Sequence, residues 1–141
     1  MRKRTRRPDL YAGEERRRWI EHLIDEASDG KGIAPSPQTN ALFAELVHVF
    51  NAGAWIATMI LAHAVLEADL VETGIVDPAS LNERRHGRGF TWLRHRRNSL
   101  VHADGPSPAV TIDSLVNDAA ILERDARRAV KLVVNGLSGR F

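Results

Sequence analysis

Between residues 41 and 73 the chain carries Leu42, Phe43, Leu46, Val47, Phe50, Ile56, Ile60, Leu61, Val65 and Leu66. On a helical wheel these positions cover far more than the single apolar stripe of a surface helix. The segment therefore reads as a central, mostly buried helix, capped by Thr39 or Asn40, with Asn51-Ala52-Gly53 as the place where it bends or breaks. Its covering layers must be helical too. No run alternates apolar and polar residues, and the β-branched residues sit in segments rich in Ala, Leu, Glu and Arg. The fold class expected is all-α.

The other helices follow from their punctuation. A first helix starts at Pro8 or Asp9 and stops before Gly30, with Leu10, Trp19, Leu23 and Ile24 inward. GKGIAPSPQTN is a loop by composition. Beyond Gly74 lies a polar connection with Asp77-Pro78 and the basic stretch Asn82 to Gly89, whose two glycines argue against continuous helix. A third helix, residues 90–102, ends where Gly105 and Pro106 forbid continuation. The last, residues 113–134, places Leu115, Ala119, Leu122, Ala126, Ala129, Leu132 and Val133 at helical spacing. The expected architecture is an up-and-down bundle of about four helices, residues 9–141 forming one domain behind a basic N-terminal arm, residues 1–8.

A length of 141 residues suits one domain, and 43% hydrophobic with 27% charged residues suits a globular one. The absence of cysteine excludes disulfides, thiolate zinc sites and cysteine nucleophiles, and fits a reducing compartment, so the cytoplasm is the expected location. The basic N-terminus is followed by Asp9, Glu14 and Glu15 rather than an apolar run, unlike a secretory signal. The longest apolar stretch, residues 52–66, is interrupted by His63 and closed by Glu67 and Asp69, so no membrane span is expected. The net charge is only +2, yet five cations lie within Arg2 to Arg7, and Arg84, Arg85, Arg88, Arg94, Arg96 and Arg97 crowd the middle. Such bunching points to a polyanionic partner, because guanidinium groups suit phosphate; solvated surface arginines are the plain alternative.

The third helix carries the most informative pattern. At about 100° per residue, Phe90, Leu93, Leu100 and Val101 gather on one face, with Arg97 in its middle. A dry, unpaired arginine there is costly, so Arg97 should meet a carboxylate, for which Glu67 is the obvious partner, or open into a wet cleft. Asn98 and His102, four residues apart, share another face, and Arg97 and His102 converge only if regular geometry fails in the last turn.

The run Arg97-Asn98-Ser99-Leu100-Val101-His102, closing a helix of a small all-α chain, resembles the HEPN superfamily of nucleotide-binding domains. The segment FNAGAWIATMILAHAVLEADL is similar to that family's alanine-rich helix with a glutamate near its end, and the resemblance covers residues 41–134. It implies a metal-independent endoribonuclease, working without a cofactor in a homodimer whose paired motif helices line one cleft, such as the toxin of a toxin–antitoxin pair or another defence component. His102 would then be the acid or base at the 2′-hydroxyl and leaving oxygen, Arg97 would hold the scissile phosphate, Asn98 would orient it, and Glu67 would support Arg97. The products would carry 2′,3′-cyclic phosphate ends. Arg84, Arg85, Arg88, Arg94 and Arg96 would gather the RNA backbone electrostatically.

Other readings stand beside this one. His63 and Glu67, one turn apart, have no third ligand of matching spacing, so no metal is expected. Trp19, Trp55 and Trp92 could stack on bases, but tryptophans at helical apolar positions are usually core. Ser99 has no partner signature of a nucleophile and reads as helix surface. Two rival functions remain: a catalytically silent HEPN-like module that binds RNA, nucleotide or a protein partner such as an antitoxin, and a helical dimerisation scaffold in which Arg97 and Glu67 form a structural pair.

Overall fold

The computed structural model describes residues 10–74, 78–79, 82, 87–103 and 105–139. Six helices are defined there: α1 Leu10–Ser28, α2 Pro37–Asn51, α3 Trp55–Thr73, α4 Arg88–Val101, α5 Ile112–Asn117 and α6 Ala119–Leu137. The all-α expectation is met; the count of about four is not, because two of the expected helices are each divided.

The first division falls at Ala52–Ala54. Gly53 takes φ 77°, a left-handed conformation that a side chain resists. The Ala54 N–H then donates to Val49 O and the Gly53 N–H to Phe50 O, both at 2.9 Å, the pair of bonds that closes a helix on a left-handed residue. The second division is Asp118, whose backbone (φ −112°, ψ 24°) leaves the helical region between α5 and α6. The short α5 begins at Thr111, whose hydroxyl accepts from Ser114 N–H while the Ser114 hydroxyl accepts from Thr111 N–H.

Helix α3 is the centre of the fold, packed against α2, α4 and α6, while α1 lies across α2 and α6. Its Met59, Ala62 and Val65 are fully buried. Helix α6 meets it with Ala126, Ala129, Val130 and Val133, all fully buried and spaced three, one and three residues apart, one stripe of the helix. Small residues in that stripe let the two axes approach. Helix α4 inserts Phe90 and the fully buried Leu93 into the same core. It starts earlier than its glycines suggest. Gly89 lies inside the first turn, where α6 comes so close that a Cβ would collide with the Leu132 side chain.

Helix α2 is capped at both ends by its neighbours. Ser36 is its N-cap residue but makes no side-chain cap bond, and neither Thr39 nor Asn40 takes that place. Glu72 of α3 does the work instead: its carboxylate accepts from Thr39 N–H at 2.7 Å, from the buried Thr39 hydroxyl at 2.6 Å, and from Gln38 N–H at 3.3 Å. These bonds, led by the one from the hydroxyl, hold the Glu72 carboxyl below its ordinary range. At the other end, Arg16 of α1 donates from Nη1 to Asn51 O at 3.0 Å and lies over the Trp55 ring at 4.8 Å. A carboxylate at the positive end and a guanidinium at the negative end both complement the helix dipole.

Trp55 is core, as its helical position suggested, stacking edge-on against Phe50 with centroids 5.7 Å apart. Trp19 and Trp92 are only half-buried, and each is covered by an arginine of α6: Arg127 lies 4.7 Å from Trp19 and Arg128 lies 4.0 Å from Trp92. No helix among the described residues is long and apolar enough to cross a membrane.

Candidate functional site

Where α4 crosses α3, the two helices and the start of α2 border an open groove of about 650 Å³. Leu42, Ile60, Ala64, Ala68 and Val71 make its apolar walls, and His63, Glu67, Glu72 and Arg97 supply the charged or titratable groups. The helical repeat explains the grouping: His63 and Glu67 are one turn apart on α3, and Arg97 is the residue of α4 that faces them across the gap.

Arg97 is half-buried and opens into this groove, the wet cleft that its place on an apolar face required. The expected ion pair with Glu67 does not form. Arg97 Nη1 donates to Asn98 Oδ1 at 2.7 Å, so the neighbouring carboxamide captures the guanidinium, while the Glu67 carboxylate lies 3.9 Å from His63 Nε2.

His63 is buried, packs against the Phe90 ring at 5.5 Å between centroids, and its Nε2 has no hydrogen-bond partner. Burial pushes its imidazole below the ordinary histidine range; Glu67 acts the other way, and Arg97 and Arg94 add to the depression. His63 is therefore a neutral side chain at neutral pH. Among the described residues no group of three or more His, Asp or Glu side chains is arranged to hold a metal.

His102 stands apart from the groove. It is the C-cap of α4, exposed, with an extended backbone (φ −116°, ψ 117°) and its N–H donating to Asn98 O at 3.0 Å. Asn98 thus touches both partners of the motif, Arg97 through its side chain and His102 through its carbonyl. The helix does not bring Arg97 and His102 to one point within a chain: Arg97 faces α3, and His102 is not part of the groove wall.

The arginines proposed to gather RNA divide as well. Arg96 turns toward α6, its Nε 3.4 Å from Asp125 Oδ2 in an ion pair that lacks hydrogen-bond alignment. Arg94 is half-buried and close enough to His63 to act on its titration. Arg88 is exposed at the start of α4, and Arg84 and Arg85 lie outside the described residues.

Sequence reasoning passed over two features. One is His63 as a wall of the Arg97 groove, signalled only by its spacing from Glu67. The other is a basic stripe on α6, where Arg124, Arg128 and Lys131 are exposed at helical spacing. No protein-family model, curated protein or solved structure matches the chain at a significant level.

Proposed function

We propose that the protein acts on RNA as a HEPN-like, metal-independent endoribonuclease whose cleaving site is completed between two copies of the chain. The observation that carries this reading is the state of the motif on α4: Arg97 is tethered by Asn98 and opens into a groove, while His102 is presented to solvent at the end of the same helix. A guanidinium so held can take a phosphodiester and offset its developing charge. An exposed imidazole five residues further on can exchange a proton with a 2′-hydroxyl or a leaving oxygen supplied with it. Because the two groups diverge within one chain, the complete constellation needs the His102 of one copy to meet the Arg97 of another, as a two-fold pairing of α4 ends would allow. Val101, an exposed apolar residue beside His102, suits such a pairing. Cleavage needs the neighbouring 2′-hydroxyl and would leave 2′,3′-cyclic phosphate ends. The cytoplasm, an antitoxin-type protein partner and a role in defence belong to the same proposal.

Purified protein, mixed RNA and EDTA make the test, with Arg97→Ala and His102→Ala alongside. Cleavage by the wild type that falls at least a hundredfold in both variants supports the reading; equal cleavage by all three, or none by the wild type, contradicts it. The second reading, a catalytically silent module that binds RNA or a partner, is favoured by one observation: the groove that holds Arg97 has no His102 in its wall.

A further inference from the structure

Helices α4 and α6 run antiparallel, and three contacts set their register: Gly89 against Leu132, Trp92 under Arg128, and Arg96 beside Asp125. The outward face of this pair collects cations from both helices. On α6, Arg124, Arg128 and Lys131 lie within about 60° of one another on the wheel and line an open concavity of about 540 Å³ together with Ala120, Glu123 and Arg127. Glu123 does not cancel the stripe, because it pairs with Arg127 at 2.9 Å. Arg124 has only a 3.5 Å contact with Asp125, and no carboxylate among the described residues pairs with Arg128 or Lys131.

Arg128 is the organised member. Its guanidinium lies over the Trp92 ring at 4.0 Å, a cation–π contact that steadies it without a carboxylate, and a guanidinium can meet a phosphate bidentately. From Arg124 to Lys131 the stripe spans about 10 Å along the helix axis, so its three cations can follow one short stretch of backbone. On α4, Arg88, Trp92, His95 and Ser99 share the face that adjoins it, and that face runs out at the exposed His102.

We propose that this α4–α6 face is where the protein takes up the phosphate backbone of single-stranded RNA, with Arg128 on Trp92 as the anchor and Arg124 and Lys131 as flanking contacts, and that it leads the strand to His102. The proposal rests on the RNA reading above and adds the surface that reading lacked. It moves the main backbone contacts to α6 from the arginines of α4 and of the segment before it.

The test is fluorescence anisotropy of the full chain with a labelled, unstructured 2′-O-methyl RNA oligonucleotide, which lacks the nucleophile and stays intact during the titration. The wild type should bind, and the triple variant Arg124→Gln, Arg128→Gln, Lys131→Gln should bind at least tenfold more weakly, with a salt slope smaller by about 2, since each phosphate neutralised on a single strand contributes roughly 0.7. The substituted side chains are exposed, and an unchanged circular dichroism melt would show that the variant is folded. Trp92→Leu, which removes the stacking partner but no charge, should weaken binding while leaving the slope near that of the wild type. Unchanged affinity and slope in the triple variant would overturn the proposal, as would poly-glutamate binding as tightly as RNA through the same residues, which would make the face an acidic-protein dock. Cleavage measured on the same wild-type preparation keeps the two readings separate. Binding through this face without cleavage would sink only the ribonuclease, and cleavage with unchanged binding in the triple variant would sink only this surface.

Discussion

Replacing Gly53 with alanine tests the fold by sign. If residues 41–73 formed one continuous helix, alanine at this position would stabilise the protein by roughly 1 kcal/mol, because glycine is the poorer helix former. With α2 and α3 separated at Gly53, the substitution must destabilise. A Cβ at φ 77° costs about 1–2 kcal/mol, offset in part by about 0.4–1 kcal/mol from the reduced freedom of the unfolded chain. The added Cβ would also stand 3.3 Å from Arg16 Nη1, so the guanidinium must give by a few tenths of an ångström and its 3.0 Å bond to the Asn51 carbonyl is weakened. A charge-assisted bond of that kind is worth roughly 1.5–3 kcal/mol, and losing about half of it brings the total to about 1.5–3 kcal/mol. Gly74→Ala is the control, because φ is 59° there and nothing lies within 4 Å of the new Cβ. It should lose only about 1 kcal/mol. Urea unfolding, with ΔG extrapolated linearly, measures both. Stabilisation by Gly53→Ala would refute the break between α2 and α3, and equal losses at the two positions would refute the part assigned to Arg16.

Three further substitutions probe the packing and the titrating groups. Leu93→Ala, at a fully buried position beneath α4, should cost about 2–5 kcal/mol in the same urea assay. Glu72→Gln should flatten the acid limb of the stability curve. The wild-type carboxyl titrates below its ordinary 4.5, so its stabilising contribution is complete above that value and is lost as pH falls through the depressed one, a difference that melts taken from pH about 6 down to about 3 would show. His63 has the opposite cause but the same slope: its folded-state pKa is lowered by burial, the unfolded chain binds the proton more readily, and stability climbs with pH until the ordinary value of 6.5 is passed. NMR titration should find this imidazole below 6.5, and His63→Gln should remove that climb.

What the sequence showed plainly was whatever local spacing or punctuation encodes. The end of α4 followed from Gly105 and Pro106, α1 stops where Asp29 and Gly30 turn left-handed, and the inner stripe of α6 followed from its apolar spacing. Features that depend on another helix were not legible. Gly89 looks like a helix breaker until Leu132 is seen against it, and Thr39 looks like a cap until Glu72 is seen beneath it. The Arg97–Glu67 pair was a reasonable inference from charge, but Asn98 competes from one residue away and Glu67 has His63 one turn back on its own helix. The wheel predicted that Arg97 and His102 face different ways, and the groove contains Arg97 without His102. Arg128 and Trp92 are far apart in sequence, so their stacking had no local signal at all.

The central claim is that Arg97 of one copy and His102 of another act on the same phosphodiester. Mixing Arg97→Ala and His102→Ala proteins, after unfolding and refolding together so that subunits exchange, tests it most directly. Each variant alone should be inactive on RNA in EDTA, and the mixture should recover about a quarter of wild-type cleavage, since half of the random pairs are mixed and each mixed pair rebuilds one of two sites. Two inactive variants that stay inactive when mixed, beside an active wild type, would contradict a site shared between chains.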